Sequence, residues 1–293
     1  MKMTEQKYIE KVKQIISRLT EDAGRNLSPA ELAAASGLPA EHLHLIFRAF
    51  TGKSLADANK KIRLCRAACL LAEKPSLKIS DAAAETGFGG INDFRTAFSE
   101  KFGCSPTAWK KNNGGKRPAA SFKTSFKDIG GPTAESAEVR ELPDLDLACV
   151  RHGKTAAGDY SLIIYLYSKL AKWAEANGHK GAENRNVVIY KAPADIYGES
   201  RSSIILGITV SDSSGIKGDI KKRKIAGGRH LVCRYRLRED QYDSAWRQVY
   251  GYWLPKLDLK PAAGGRFEYY PAVSSETGRF ISTVDLCIPV ADG

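Results

Sequence analysis

The sequence predicts a multidomain chain: an all-α tandem helix-turn-helix domain, then an α+β domain built from a duplicated strand-helix-strand-strand unit. Three observations carry this. Capped, alanine-rich helical patterns fill the first third of the 293 residues and then stop. A polar stretch with glycine and proline, Asn112 to Ala120, follows and reads as a hinge. Beyond it come short β-branched and aromatic runs, in an order that occurs twice. The expected boundaries are 1–112, a linker at 113–136, and 137–293.

The first helix-turn-helix starts at Ser28-Pro29-Ala30-Glu31, a capping box with proline just inside the helix. Gly37 permits a left-handed turn, and Leu32, Leu38, Leu43 and Ile46 supply the inner face. Pro39 to Phe50 is the second helix of the unit, closed by Gly52. Ser54 to Ala72 reads as one long helix. Ile79 to Glu85 is short and alanine-rich. After a glycine-rich turn, Phe94, Phe98 and Phe102 recur every four residues and make one apolar stripe. Gly103 stops that helix, and Ser105-Pro106 starts another.

In the second domain the first copy runs through strand 147–152, helix 160–177, strand 186–190 and strand 203–210. The second runs through strand 231–235, helix 241–254, strand 266–270 and strand 280–290. Two such units sharing a sheet give two helices on one sheet. Alternation in the Arg266–Tyr270 strand places Arg266, Glu268 and Tyr270 on one face, with Phe267 and Tyr269 on the other. Ile189 is read as the first-copy equivalent of Glu268.

The formal charge is +12. Residues 1–113 hold 18 basic and 12 acidic side chains, and 114–130 hold 4 and 1, so three quarters of the excess lies in the first 130 residues. That balance suits a phosphate-contacting surface. Six cysteines form no C-x-x-C pair, and His42 and His44, two apart on a helix, point in different directions. No metal site and no cofactor are expected, and no P-loop, G-x-S-x-G or H-E-x-x-H motif occurs. No apolar run reaches the length of a membrane span, and the first residues lack an apolar signal core, so the expected location is the cytoplasm.

The segment Gly87-Phe88 through Phe94, Phe98, Phe102-Gly103-Cys104-Ser105-Pro106 to Trp109-Lys110 resembles the signature of the AraC/XylS transcription regulators. The likeness covers about residues 5–111. It implies double-stranded DNA as a partner, with two recognition helices in successive major grooves about 34 Å apart. On the second helix it points to Ile91, Asn92, Arg95 and Thr96; on the first to Glu41, His44, Leu45 and Arg48. Glu41 and Leu45 stand where relatives often carry tryptophan and arginine, which implies weaker selectivity there. Lys53, Lys60, Lys61, Arg63, Lys101, Lys110 and Lys111 are candidates for phosphate contact.

Residues 137–291 resemble a GyrI-like small-molecule-binding domain, on the Ala-Trp-x3-Tyr of the second helix, Phe267-Glu268-Tyr269-Tyr270 and the closing Asp285 to Val290. Such domains follow AraC-type domains in bacterial regulators of the right-origin-binding type. The resemblance implies an effector cleft between the helices and the sheet. Glu268 is its carboxylate, and Trp246, Tyr250 and Tyr270 lie near it, with Trp253 in the same helical series. A cationic or amphipathic effector follows from a carboxylate among ring faces. No enzyme activity is expected. The alternatives are a hydrolase with Glu268 as general base, or a protein-interaction module that contacts RNA polymerase or a topoisomerase.

Overall fold

The computed structural model describes residues 5–25, 27–112, 118, 131–152, 160–179, 184–190, 204–211, 216–271 and 281–291. Most of the expected hinge lies outside the described residues. Among the described residues no helix is long and apolar enough to cross a membrane.

Among the described residues, seven helices form the first domain: α1 (Glu5–Glu21), α2 (Pro29–Ser36), α3 (Ala40–Thr51), α4 (Leu55–Glu73), α5 (Ile79–Glu85), α6 (Ile91–Phe102) and α7 (Pro106–Asn112). Local chemistry sets their ends. The Ser28 hydroxyl accepts from the Glu31 amide, and the Glu31 carboxylate accepts from the Ser28 amide at 2.7 Å, so two of the orphan amides of α2 are satisfied. Gly37 closes α2 at φ 62°, a conformation that other residues resist. Ser54 caps α4 by accepting from the Asp57 amide at 3.0 Å. The N-cap of α6 is Gly90, which brings no side-chain bond. Phe94 and Phe98 are fully buried against α4 and α5, and Trp109 of α7 donates from its indole to the Ala68 carbonyl at 3.2 Å.

The two helix-turn-helix units are pinned to each other by Arg63. This α4 residue, expected at a phosphate-contacting surface, is 8% exposed. Its guanidinium donates to the Gly87 carbonyl at 3.1 Å and to the Arg25 carbonyl at 3.0 Å, one beside each unit. The chain is tight enough here that a Cβ on Gly24 would lie 2.4 Å from the Glu85 carbonyl oxygen. Lys110 is likewise engaged, donating to the Leu77 carbonyl at 2.7 Å. A basic residue in sequence says nothing about which way its charge points, and backbone carbonyls at helix ends are good acceptors for it.

The second domain is a mixed sheet-and-helix layer. Its strands are β1 (Ser136–Leu142), β2 (Leu145–His152), β3 (Asn186–Tyr190), β4 (Ile204–Thr209), β5 (Lys221–Ile225), β6 (Gly228–Arg238), β7 (Lys260–Pro261), β8 (Phe267–Tyr270) and β9 (Ile281–Ala291). The main order is β1-β6-β9-β8-β3-β4-β2-β5, every pairing antiparallel, and β7 pairs with β9. The first copy is β2, α8 (Tyr160–Ala176), β3 and β4. The second is β6, a helix, β8 and β9, so the order is palindromic about the β3–β8 seam. The strand leading each copy crosses over: β1 pairs with β6 of the second copy, and β5 with β2 of the first. The second helix is not uniform. It runs as α9 (Tyr242–Gln248), a π-helical turn (Val249–Trp253) and α10 (Leu254–Lys256).

One hydrophobic core joins the two domains. It runs from Tyr8, Val12, Ile15 and Leu43 through to Leu231, Tyr235, Trp246, Tyr250 and Leu286. Tyr8 stacks on Phe50 and donates its hydroxyl proton to the Leu259 carbonyl at 2.7 Å.

Replacing Arg63 by Met keeps the length of its stem but removes both hydrogen bonds. The expected outcome is a loss of about 3 kcal/mol in urea-induced unfolding, because charged hydrogen bonds inside a fold are among the stronger ones. Replacing exposed Lys60 by Met should leave the midpoint within about 0.5 kcal/mol.

Candidate functional site

The sheet register fixes the first site. Val188 lies opposite Glu268, and Asn186 opposite Tyr270, so these side chains share the helix-covered face. Ile189 pairs with Phe267 and packs on the other side with Val187 and Cys287. Its expected equivalence to Glu268 is therefore corrected: a one-residue offset puts Ile189 on the wrong face.

Glu268 is 1% exposed and fully engaged. Its Oε1 accepts from the Tyr190 hydroxyl at 2.8 Å and from the Trp246 indole at 3.0 Å; its Oε2 accepts from the Tyr270 hydroxyl at 2.8 Å. Tyr270 lies 3.3 Å from the Tyr242 hydroxyl. Burial raises the Glu268 pKa, while the three donors and then the Arg266 charge pull it back down. Arg266 sits with its guanidinium carbon 4.6 Å from the ring centroids of both Tyr190 and Trp246. Tyr167, from α8, has a buried hydroxyl with no hydrogen-bond partner among the described residues. It stands near enough to Glu268 and Tyr242 for their charges to raise its pKa further, after burial. The site is a carboxylate ringed by phenols and an indole, roofed by one guanidinium, with one hydroxyl left over.

Of the expected effector residues, Trp246 and Tyr270 touch Glu268 directly. Tyr250 lies one ring away, 6.2 Å from Trp246, and bonds elsewhere. Trp253, expected in the same series, donates to the Tyr235 hydroxyl at 3.1 Å and carries Lys256 over its ring. The π turn adds a residue to the helical period between Trp246 and Trp253 and shifts their phase. Sequence reasoning missed Tyr190, Tyr167 and Tyr242. The Tyr242–Trp246–Tyr250 spacing held a readable signal; the other two needed the register.

The second site is the outer face of the helix-turn-helix units. On α6, Asn92, Arg95 and Thr96 are exposed, opposite the buried Phe94 and Phe98. Ile91 packs partly on the bundle core instead. On α3 the expected residues meet the second domain. Glu41 Oε1 accepts from the Gly264 amide at 2.8 Å, and Arg48 pairs with Asp243 at 2.9 Å. Leu45 packs on the shared core. Burial pushes the His44 pKa down to about 3, and the charges of Arg266, His42 and Arg48 add to it. His42 beside them is buried between the domains, its Nδ1 2.8 Å from the Tyr250 hydroxyl and its Nε2 3.0 Å from the Ala262 carbonyl. A carbonyl only accepts, so Nε2 carries the proton and Nδ1 accepts from Tyr250.

Residues 137–291 match the GyrI-like small-molecule-binding domain, and the chain belongs to that family. Residues 32–112 match a helix-turn-helix domain of AraC type, and the pair defines the class: an AraC-type helix-turn-helix domain joined to a GyrI-like small-molecule-binding domain. More particularly, the helical domain is similar to the HTH-type transcriptional activator RhaR of Yersinia pseudotuberculosis, 33% identical over 97 residues, which are 33% of each chain. The chain thus spans about a third of the length of the curated relatives it matches. Among solved structures, an AraC-type regulator from Chromobacterium violaceum is 21% identical over 36% of this chain and 94% of its own, with a TM-score of 0.34. The EcmrR C-terminal domain is 14% identical over 54% and 98%, with a TM-score of 0.45.

Acid should loosen the domain contact. Burial, opposed by Glu41, holds the His42 pKa at about 4 against an ordinary 6.5, with Arg266 helping to lower it. A base whose pKa is depressed in the docked state binds its proton only on release, so docking is full above pH 6.5 and weakens as pH falls toward 4. The groups facing the two histidines are Glu41, Arg48, Tyr250 and Arg266. Each pH unit in that window costs up to about 1.4 kcal/mol per histidine. Small-angle scattering should show the radius of gyration growing between pH 7.5 and pH 5.

Proposed function

We propose that this chain regulates transcription by reading DNA through its helical domain, under control of a small cationic or amphipathic effector held beside Glu268. The exposed Asn92-x2-Arg95-Thr96 face of α6 carries the DNA part of the reading. Asparagine matches an adenine edge, arginine forks onto guanine, and threonine reaches a base methyl or a phosphate. Exposed Lys53, Lys60 and Lys111 stand on the same domain and add sequence-independent attraction.

Arg95→Ala is expected to cost roughly 1–3 kcal/mol of affinity and to relax the base preference at one position of a duplex selected from a random library. Wild-type affinity on that duplex should fall steeply from 50 to 200 mM salt. Unchanged binding by the variant removes α6 from the interface, and a flat salt dependence removes the phosphate contacts.

For the effector, the supporting observation is the saturated Glu268 carboxylate beside the spare Tyr167 hydroxyl. A buried carboxylate gains more from a cation than an exposed one does, because little water competes. Aromatic faces add to that attraction. Glu268→Gln keeps the shape and removes the charge. Binding of cationic dyes, followed by fluorescence, should weaken about tenfold, and the thermal midpoint should fall modestly because the amide cannot accept from all three donors. Equal dye affinity in both proteins ends the role proposed for Glu268.

A further inference from the structure

An α-helix turns about 100° per residue, so Leu43, Ile46, Phe47 and Phe50 of α3 project to one side, and Glu41, Leu45 and Arg48 to the opposite side. The first set is buried in the shared core. The second set is the side by which the second helix of a helix-turn-helix enters a major groove. In this molecule that side is partly covered, with Glu41 and Leu45 half-buried and Arg48 engaged but still exposed. The Gly264 amide holds Glu41, Asp243 holds Arg48, the apolar core takes Leu45, and Tyr250 and Ala262 fix His42 on the flank. A DNA duplex and the second domain cannot occupy this face together. The corresponding face of α6 is open to solvent.

The covering surface is also the back wall of the Glu268 site. Trp246 donates to Glu268, and Tyr250, which bonds His42, lies one helical turn further along. Arg266 lies against both the Tyr190 and Trp246 rings, which meet edge to face at 6.4 Å, and its charge reaches both His42 and His44 of α3. The chain's own guanidinium thus stands where a cationic effector would stack.

We infer that the effector domain masks the reading face of α3, that the protein in this closed form reads DNA through α6 alone, and that a cation displacing Arg266 from the two ring faces releases α3. The inference rests on the proposed reading of α6 as a DNA reader and of Glu268 as the effector site. It adds that only one of the two units is available until the mask lifts. The hydrogen bonds of this contact can be exchanged for water, whereas the shared apolar core opposes separation, so the trigger must act on the polar groups that set the pose.

The test uses the full-length chain and a double variant, Asp243→Arg with Tyr250→Phe. The first change turns the partner of Arg48 into a like charge; the second removes the hydroxyl from His42 and keeps the ring. Each protein is given a random duplex library, and the enriched duplexes are footprinted with hydroxyl radicals. Small-angle scattering reports whether the domains have separated. The wild type should protect one major-groove segment. The double variant should be expanded, protect two segments about 34 Å apart, and bind roughly tenfold more tightly, as expected when the competent form becomes the main one. Tetraphenylphosphonium, used as the cationic probe, should move the wild type toward the two-segment footprint but leave Glu268→Gln unmoved. This second arm stands even if the double variant does not fold.

Two protected segments with the untreated wild type would overturn the mask, as would a single segment with an expanded double variant. A two-segment footprint in the double variant with no effect of the probe on the wild type would uphold the mask and reject the cationic trigger. Failure to enrich any duplex with either protein would remove the DNA-reading premise, and the mask with it.

Discussion

The arrangement of the two domains depends on one neutral imidazole. His42 stands on α3 in the first domain, and its two hydrogen bonds both go to the second. A polar ring without partners in such a place would cost several kcal/mol; with both nitrogens satisfied it becomes an orientation device instead. The Ala262 carbonyl sets the tautomer, and the tautomer sets which nitrogen can meet Tyr250. The apolar core that spans the domains supplies most of the attraction, because burial is non-directional, and the imidazole selects one pose among the many that burial alone would accept.

The same helix carries that constraint into the sheet. From Tyr242 to Tyr250 its side chains alternate between two duties, since Tyr242 and Trp246 reach the Glu268 cluster and Tyr250 reaches α3. The π turn begins at Val249, and it lets a single helical segment serve both sides. Movement of Trp246 would be felt at Tyr250 because both belong to one hydrogen-bonded coil, with no separate relay needed.

Much of this was legible in the residues. The Ser28 and Ser54 caps, the Gly37 and Gly103 stops and the phenylalanine stripe of α6 are short-range features, decided within a few residues. Alternation in β8 likewise placed Glu268 with Tyr270 and Arg266 on one face. Long-range outcomes were less legible. Nothing local distinguishes Arg63, which turns inward to two carbonyls, from Lys60, which stays in water. Tyr190 enters the Glu268 cluster only through the pairing of β3 with β8, and Ile189 was misplaced by the one-residue step that such pairing decides. The cover over α3 is the furthest from sequence, since Glu41, Leu45 and Arg48 look equally suited to solvent, to DNA or to another domain.

The leading strands cross between the two copies, and this decides how the second domain holds together. β1 opens the first copy but completes the edge of the second, and β5 does the reverse. Neither copy is thus a closed piece of structure: each lends an outer strand to its twin and borrows one back. A chain severed between the copies would yield two fragments with complementary missing edges, each the natural template for the other. Duplicated halves that only abut can drift apart by wear at their seam. Halves that trade strands are clasped at both ends as well, so the spacing across β3 and β8, where the Glu268 cluster sits, is held from the periphery as much as from the centre.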